Sequence, residues 1–201
     1  ADLKGKKVAL EPLSVSRVVL SRALAKAGLN YADVISVDST VDEMKDVLLS
    51  GKADAVVTYS PYAQELAALP GVGKIFDSHQ MPGEILGVLA LDDKFLGENP
   101  EFVSSLYPIW TRVQGYIKEN PERAYSIMAK REHISPADFE ASLKGIHVLS
   151  MEDSVNMLVN KDGLEDSLSS IQDLLGWTHR HGKTLPARNF IYNSAGEKAE
   201  K

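Results

Sequence analysis

Two serines and an arginine stand where the first apolar segment gives way to a helical pattern, in the order Ser14, Val15, Ser16 and Arg17. A helix that begins at Val15 leaves its first backbone N–H groups unpaired, and such groups attract anions. The two hydroxyls and the Arg17 guanidinium could add hydrogen bonds and positive charge. A serine before a helix is also a common cap, and the capping and binding roles can coexist.

A second group of polar residues, Tyr59 and Ser60, follows the third apolar segment. Ser60 before Pro61 predicts a helix cap followed by proline at the first helical position. Tyr59 offers a ligand an aromatic wall and a hydroxyl, although packing is the alternative role of such a residue. Glu84 lies in a later segment that contains proline and glycine. Three roles stay open for Glu84: a hydrogen-bond acceptor for the ligand, a hinge residue, or a loop carboxylate with neither role.

The residue types that carry most enzyme chemistry are missing or badly spaced. The chain has no cysteine, which excludes thiol nucleophiles, thiolate metal sites and disulfides. Glu152 and Asp153 are neighbours in sequence, so their side chains point in different directions and do not form an acid–base pair. His179 and His181 fit the end of a helix better than a metal site. We therefore expect no enzymatic activity, no metal and no cofactor.

Composition favours a folded domain with an acidic surface. The 201 residues are 44% hydrophobic and carry a formal net charge of −6. This hydrophobic content is enough for a sizeable core, and the charge argues against nucleic acid or an anionic membrane surface as a partner. No apolar run approaches the roughly 20 residues of a membrane span.

Apolar segments that alternate with helical patterns predict an α/β fold with a mostly parallel sheet covered on both faces. Helices are expected over residues 15–27, after a capping box formed by Thr40 and Glu43, and over residues 61–69. The strands are expected at residues 6–10, 34–37, 55–58, 74–76 and 86–91.

The second half of the chain changes to helices alone. Each of three predicted helix starts contains a proline, which is typical of the first helical position. Pro108 lies inside the first of these helices and predicts a kink or break near residues 104–106. Tyr107 and Trp110 of the same helix are expected in the core. The three starts are Asn99-Pro100-Glu101, Asn120-Pro121-Glu122 and Ser135-Pro136-Ala137.

A crossing near residues 78–86 separates the sheet from the helices, so two lobes joined there are expected. A last helix with an apolar stripe over residues 164–175 is expected to end at Gly176 or Gly182, before a charged tail over residues 186–201. Ligands of open α/β sheets bind outside the carboxyl ends of the strands, and three loops are candidates for that position: residues 11–17, 58–62 and 79–84.

A family resemblance is carried by five stretches: residues 2–8, the Ser14/Ser16 loop, and residues 49–62, 76–78 and 116–122. In order and spacing they resemble the solute-binding proteins of nitrate/sulfonate/taurine-type ABC transporters, also called the NMT1-like family. The resemblance runs from Asp2 to about Trp177.

The resemblance implies a fold similar to type II periplasmic-binding proteins, in which two α/β lobes close on a small ligand. This chain would supply one complete βα lobe and a helical return segment into an incomplete first lobe. Residues 1–80 are then the second lobe, 81–86 the hinge crossing, 87–185 the helical carboxyl-terminal part of the first lobe, and 186–201 the tail. The chain is expected to be the carboxyl-terminal portion of a binding protein. A dimer or a domain swap would cover apolar surface left by the missing segment.

The function that the resemblance implies is non-enzymatic binding of a small anion, such as an organosulfonate, taurine or nitrate, and its delivery to the permease of an ABC importer. The implied location is the periplasm or another extracytoplasmic space, with a lipoprotein anchor as a variant. The residues expected to contact the ligand are Ser14, Val15, Ser16, Arg17, Tyr59, Ser60 and Glu84.

Two other functions stay open. The first is a ligand-sensing module of a signalling protein, which would use the same fold. The second is a thiamine-pyrimidine precursor synthase, because such enzymes resemble this family in fold. Those enzymes carry a cysteine-rich motif, and its absence here disfavours that alternative.

Overall fold

A three-stranded parallel sheet in the order β2-β1-β3 organises the first half of the chain in the computed structural model, which describes residues 2–159 and 161–174. The strands are β1 (Lys7–Leu10), β2 (Ile35–Asp38) and β3 (Ala55–Val56). In register, Val8 lies opposite Ser36 of β2 and Ala55 of β3. Because all three strands run in the same direction, their carboxyl ends meet at one edge of the sheet.

A helix follows each strand, and the second half of the described chain contains helices joined by loops. Short 3₁₀ turns at Tyr31–Asp33, Val41–Glu43 and Ser78–Gln80 complete the connections. The helices are α1 (Val15–Lys26), α2 (Met44–Leu49), α3 (Tyr62–Ala67), α4 (Asp93–Glu98), α5 (Phe102–Glu119), α6 (Pro121–Arg131), α7 (Pro136–Leu143), α8 (Met151–Val159) and α9 (Lys161–Leu174).

The central strand contributes to two separate cores, because alternate residues of a strand point to opposite faces of the sheet. Ala9 faces one core and its two neighbours in β1 face the other. The first core contains the buried residues Val8, Leu10, Leu20, Leu24 and Val34. The second core contains the buried residues Ala9, Met44, Ala53 and Leu66. Both faces of the sheet are therefore covered, as the sequence predicts for parallel strands.

The described chain divides into two compact units. The first comprises residues 2–86 and 171–174, and the second comprises residues 87–159 and 161–170. In the second unit, Phe95 and Phe102 join α4 to α5 through an edge-to-face contact with ring centroids 5.0 Å apart. The Gln114 side chain of α5 donates to the carbonyl of Leu149, at 2.6 Å. None of the described helices is both long and apolar enough to span a membrane.

Two predicted strands are wrong. Residues 74–76 and 86–91 form no strand, and Val88 and Leu89 are 72% and 70% exposed. A strand needs a neighbour for its backbone N–H and C=O groups. No strand in the described part of the chain lies beside either segment to provide one.

Two predicted helix caps are also wrong. Thr40 precedes the 3₁₀ turn and makes no side-chain capping bond, so α2 begins only at Met44. Ser60 precedes a cis peptide bond to Pro61, and Pro61 occupies the cap position of α3 without a side-chain bond. The Ser60 hydroxyl instead accepts a hydrogen bond from the Gln64 amide, at 2.9 Å.

The kink or break predicted near residues 104–106 is not a break, because α5 continues through Pro108 from Phe102 to Glu119. A kink there stays a prediction. Proline removes one i to i−4 hydrogen bond, and the flanking bonds of an 18-residue helix hold the element together. Trp110, expected in the core, is 43% exposed, and Tyr107 is half-buried.

Helices α4 and α8 were not predicted from sequence. Each has a readable start signal: Asp92 accepts from the N–H groups of Lys94 and Phe95, and Ser150 accepts from that of Asp153. The predictions for Gly176, Gly182, the two histidines and the tail fall outside the described residues.

Candidate ligand-binding site

Ser14 caps α1 with its side chain. Its hydroxyl oxygen accepts from the Ser16 N–H at 3.1 Å and its hydroxyl donates to the Glu11 carbonyl at 3.0 Å. The Arg17 N–H also bonds to the Ser14 carbonyl, at 3.1 Å. Two of the N–H groups at this helix end are therefore already paired. This reduces the anion-binding capacity that an open helix start would have.

Arg17 points toward the aromatic ring of Tyr31 and not toward the loop that precedes α1. Its guanidinium carbon lies 4.7 Å from the centroid of the Tyr31 ring, which is a cation–π contact. The Arg17 Nε is buried and has no hydrogen-bond partner among the described residues. The guanidinium therefore supports the first core more directly than it supports the loop.

Tyr59 reaches the same loop from the end of β3. Its hydroxyl donates to a carboxylate oxygen of Glu11 at 3.2 Å, and the residue is 44% exposed. Burial, and then the negative charge of Glu11, raise the pKa of the Tyr59 hydroxyl above its ordinary value. Tyr59 therefore stays protonated at neutral pH and remains a hydrogen-bond donor.

A cavity of about 420 Å³ opens beside this loop at the carboxyl ends of β1 and β2. Ser39, only 7% exposed, donates its hydroxyl to the carbonyl of Thr40 at 3.2 Å. The lining residues are Glu11, Pro12, Ser14, Asp38, Ser39, Thr40 and Glu43.

Three of the residues that line the cavity are acidic, namely Glu11, Asp38 and Glu43. Three others, Ser14, Ser39 and Thr40, have hydroxyl groups. Carboxylates and hydroxyls accept hydrogen bonds from ammonium, amide or hydroxyl groups, whereas carboxylates repel a plain anion. The described residues contain no group of three or more side chains that could hold a metal ion.

The structure brings together part of the predicted site. Ser14 and Tyr59 meet through Glu11, and Ser16 is buried just inside α1 at 2% exposure. Glu84 is absent from the cavity lining and pairs with Arg22 of α1 instead. The Val15 side chain is exposed at the helix start and the Ser60 hydroxyl is engaged by α3.

The residues that sequence reasoning missed are the carboxylates. Glu11 directly follows β1 and Asp38 is the last residue of β2. Acidic residues at the carboxyl ends of two predicted parallel strands are expected to lie at one edge, and this signal was available in the sequence. Glu43 belongs to the turn before α2, and no local pattern indicates that it faces the cavity.

A family profile described as NMT1/THI5 like matches residues 1–124. The chain belongs to the NMT1/THI5-like family. The matched region contains the whole sheet and both polar loops of the candidate site. The family assignment inferred from the order and spacing of short stretches is therefore confirmed.

Curated relatives of this NMT1/THI5-like chain are named as candidate binding proteins. One from Brucella abortus (strain 2308) is 25% identical over 182 residues, which is 87% of this chain and 55% of the relative. A candidate aliphatic sulfonates-binding protein of Escherichia coli (strain K12) is 26% identical over 130 residues, which is 65% of this chain and 40% of the relative. The chain spans about half the length of the curated relatives it matches.

Two solved structures share the fold. The periplasmic aliphatic sulphonate binding protein SsuA from Escherichia coli matches with a TM-score of 0.69 at 19% identity, covering 94% of this chain and 63% of that protein. The alkanesulfonate-binding protein SsuA from Xanthomonas axonopodis pv. citri, bound to MOPS, matches with a TM-score of 0.56 at 19% identity, covering 89% of this chain and 58% of that protein. The α/β fold class expected from sequence is confirmed.

Proposed function

We propose that this family member is a non-enzymatic solute-binding protein that binds a small organic solute at the cavity beside Ser14 and delivers it to an ABC importer outside the cytoplasm. The observation that carries the proposal is the position of the cavity. It lies at the carboxyl ends of the parallel strands β1 and β2, beside Glu11 and the Ser14 cap of α1, in a fold shared with two sulfonate-binding proteins.

The proposed ligand class is a small organic sulfonate. Relatives of this chain are named for aliphatic sulfonates, and one solved structure is titled as bound to MOPS. At the candidate site, the sulfonate would accept a hydrogen bond from the N–H of Val15 at the positive end of α1. It would also accept from the hydroxyls of Ser14 and Tyr59, each of which would give up its present bond to Glu11. The organic part would occupy the cavity.

The proposal is tested by titration calorimetry on the 201-residue chain with ethanesulfonate, MOPS and nitrate as probes. We expect at least one sulfonate to bind with a dissociation constant in the micromolar range. A protein that gives no binding heat and no thermal shift with any of these probes, while its circular dichroism shows a folded α/β chain, would contradict the proposal.

A pair of variants locates the site. Ser14→Gly removes the hydroxyl but keeps most of the cap, because glycine costs a cap only a few tenths of a kcal/mol. We expect sulfonate affinity to fall about tenfold, the cost of one hydrogen bond to a charged group. Ser50→Gly is the matched control, since the Ser50 hydroxyl donates to the Val47 carbonyl and lies outside the cavity lining. Equal affinities in the two variants would place the ligand elsewhere.

A further inference from the structure

We infer that Arg22 and Lys26 of α1 fasten residues 76–84, the anchored segment, to the unit that contains the sheet, so that bending of the chain between the two units is confined to residues 85–87. This inference concerns the fold and does not depend on the proposed ligand. It makes Glu84 the last fixed point before the chain leaves the sheet unit. It also shifts the hinge that the sequence predicts at residues 81–86 toward the end of that range.

The first argument is that three contacts of the anchored segment converge on α1. The Arg22 Nε donates to a carboxylate oxygen of Glu84, in an ion pair whose side chains are 36% and 34% exposed. The Lys26 ammonium group donates to the side-chain oxygen of Gln80 at 2.7 Å and lies 6.0 Å from the centroid of the Phe76 ring. Arg22 and Lys26 are four residues apart, so they are neighbours on one side of the helix. Both ends and the middle of the anchored segment are therefore attached to the same element.

The second argument is that α1 is itself fixed. Its residues Leu20 and Leu24 belong to the first core and are 2% and 0% exposed. A helix whose side chains are packed in a core cannot shift without disturbing that packing. The contacts of Arg22 and Lys26 therefore tie the anchored segment to a rigid base.

The third argument is the internal order of the anchored segment. The Asp77 carboxylate accepts from the His79 N–H at 3.2 Å. The Met81 N–H bonds to the Ser78 carbonyl at 3.1 Å, and the Glu84 N–H bonds to the Met81 carbonyl at 3.3 Å. The Met81 side chain is only 3% exposed. These bonds and this burial oppose bending within the segment, although it contains a proline and a glycine.

The fourth argument is the contrast with the three residues that follow. Among the residues that the structure describes, none forms a hydrogen bond with residues 85–87. Ile85 is 42% exposed, and no atom lies within 4 Å of the place where a Cβ of Gly87 would stand. The boundary between the two compact units falls between Leu86 and Gly87. Exposed backbone without hydrogen bonds opens most easily, and glycine is the least restricted residue, so the chain bends here.

Amide hydrogen exchange, measured residue by residue by NMR on the 201-residue chain, tests the inference. In the wild type, we expect the amides of Met81 and Glu84 to be protected and those of residues 85–87 to exchange at nearly the unprotected rate. Arg22→Gln removes the charge that holds Glu84. It should accelerate exchange at Met81 and Glu84 about fivefold, which is the effect of losing a partly exposed ion pair. Exchange within β1 should hardly change.

Arg112→Gln is the matched control, because Arg112 is an exposed residue of α5 and forms no ion pair with the described residues. It should leave exchange in the anchored segment unchanged. A double variant that combines Arg22→Glu with Glu84→Arg restores an ion pair with reversed charges. It should recover the protection that Arg22→Glu alone loses.

Unchanged exchange at Met81 and Glu84 in the Arg22→Gln variant would overturn the inference, because the anchored segment would then be held without α1. Exchange that accelerates by the same factor in β1 would also overturn it, since the substitution would then have destabilised the whole unit. Wild-type amides of residues 85–87 that are as protected as the amide of Glu84 would overturn the assigned position of the bend.

Discussion

The Ser14 hydroxyl has a structural role in the cap of α1 and a proposed role in ligand binding. The same oxygen accepts from the Ser16 N–H and lines the cavity, and its proton is donated to the Glu11 carbonyl. From the sequence, Ser14 could cap α1, contact the ligand, or do both. The hydrogen bonds of the structure establish the capping role. Ligand contact stays a prediction.

Replacing Ser14 by alanine should lower the free energy of unfolding by about 1 kcal/mol, because the cap of α1 is lost. Urea unfolding followed by circular dichroism measures the change. The glycine variant of the same residue should lose only a few tenths of a kcal/mol. Alanine and glycine variants of equal stability would show that the hydroxyl does not stabilise α1.

Tyr59 should make stability fall at alkaline pH. Burial and the adjacent Glu11 charge raise the pKa of its hydroxyl in the folded state, so the folded chain keeps this proton at a pH where the unfolded chain has released it. The contribution of Tyr59 to stability is therefore fully present below about pH 10, the ordinary tyrosine value, and is lost as the pH rises beyond it. Urea unfolding at a series of pH values should show a shallower decline for Tyr59→Phe. An identical decline in both proteins would rule out this contribution.

The residues of the site show why sequence reasoning reaches only part of it. Ser14 and Tyr59 were found because each follows an apolar segment at a predicted loop. The cavity was not found because Glu11 and Glu43 are far apart in sequence, and only the pairing of β1 with β2 brings them to one space. Side-chain direction was also out of reach, since packing against Tyr31 decides where Arg17 points.

At the scale of elements, the loop between β1 and α1 contains a residue in an unfavourable backbone conformation. Leu13 has a φ of 59°. This is the left-handed region, which residues other than glycine, asparagine and aspartate rarely adopt. The side chain is 55% exposed, so it gains little from packing. The loop that presents Ser14 is therefore held in place by its neighbours and not by the preference of Leu13 itself.

Leu13→Asn should raise the free energy of unfolding by about 0.5 kcal/mol, because asparagine tolerates the left-handed region. Leu49→Asn is the matched control: Leu49 is 60% exposed in the last turn of α2, where asparagine lowers helix propensity and should destabilise the chain. Urea unfolding of both variants measures whether each substitution raises or lowers the free energy of unfolding. Destabilisation of equal size in both would contradict the backbone argument.

Elements were predictable where their signals are local. The apolar run of β1, the 3.6-residue period of α1 and the proline starts of α6 and α7 all lie within one stretch of chain. Strand formation at residues 86–91 depends on a neighbouring strand, which no local pattern reports. The same apolar composition therefore predicted a strand correctly at β1 and wrongly at residues 86–91.

At the scale of the whole molecule, the net charge of −6 acts on every charged solute that approaches. Surface charges repel an anion over a distance set by the ionic strength, about 30 Å at 0.01 M and about 8 Å at 0.15 M. The acidic lining of the cavity adds to this repulsion at close range. Approach is therefore slowed for a plain sulfonate and much less for a solute without net charge.

Raising the ionic strength from about 0.01 M to about 0.15 M should accelerate the association of propanesulfonate by about a factor of two, because screening removes long-range repulsion. Aminopropanesulfonate has no net charge at neutral pH and serves as the control, whose association rate should hardly change. Stopped-flow fluorescence measures both rates. A plain sulfonate whose association slows with added salt would show that attraction dominates its approach.

The apolar run over residues 87–91, of which residues 87–90 are exposed, also affects how the chain behaves at high concentration. An uncharged apolar segment is prone to intermolecular aggregation unless charged residues flank it. Asp92, which caps α4, follows the run directly and so acts as a gatekeeper against aggregation as well as a helix cap. Asparagine caps a helix as well as aspartate does, so Asp92→Asn would keep the helix while shortening the time before the protein precipitates.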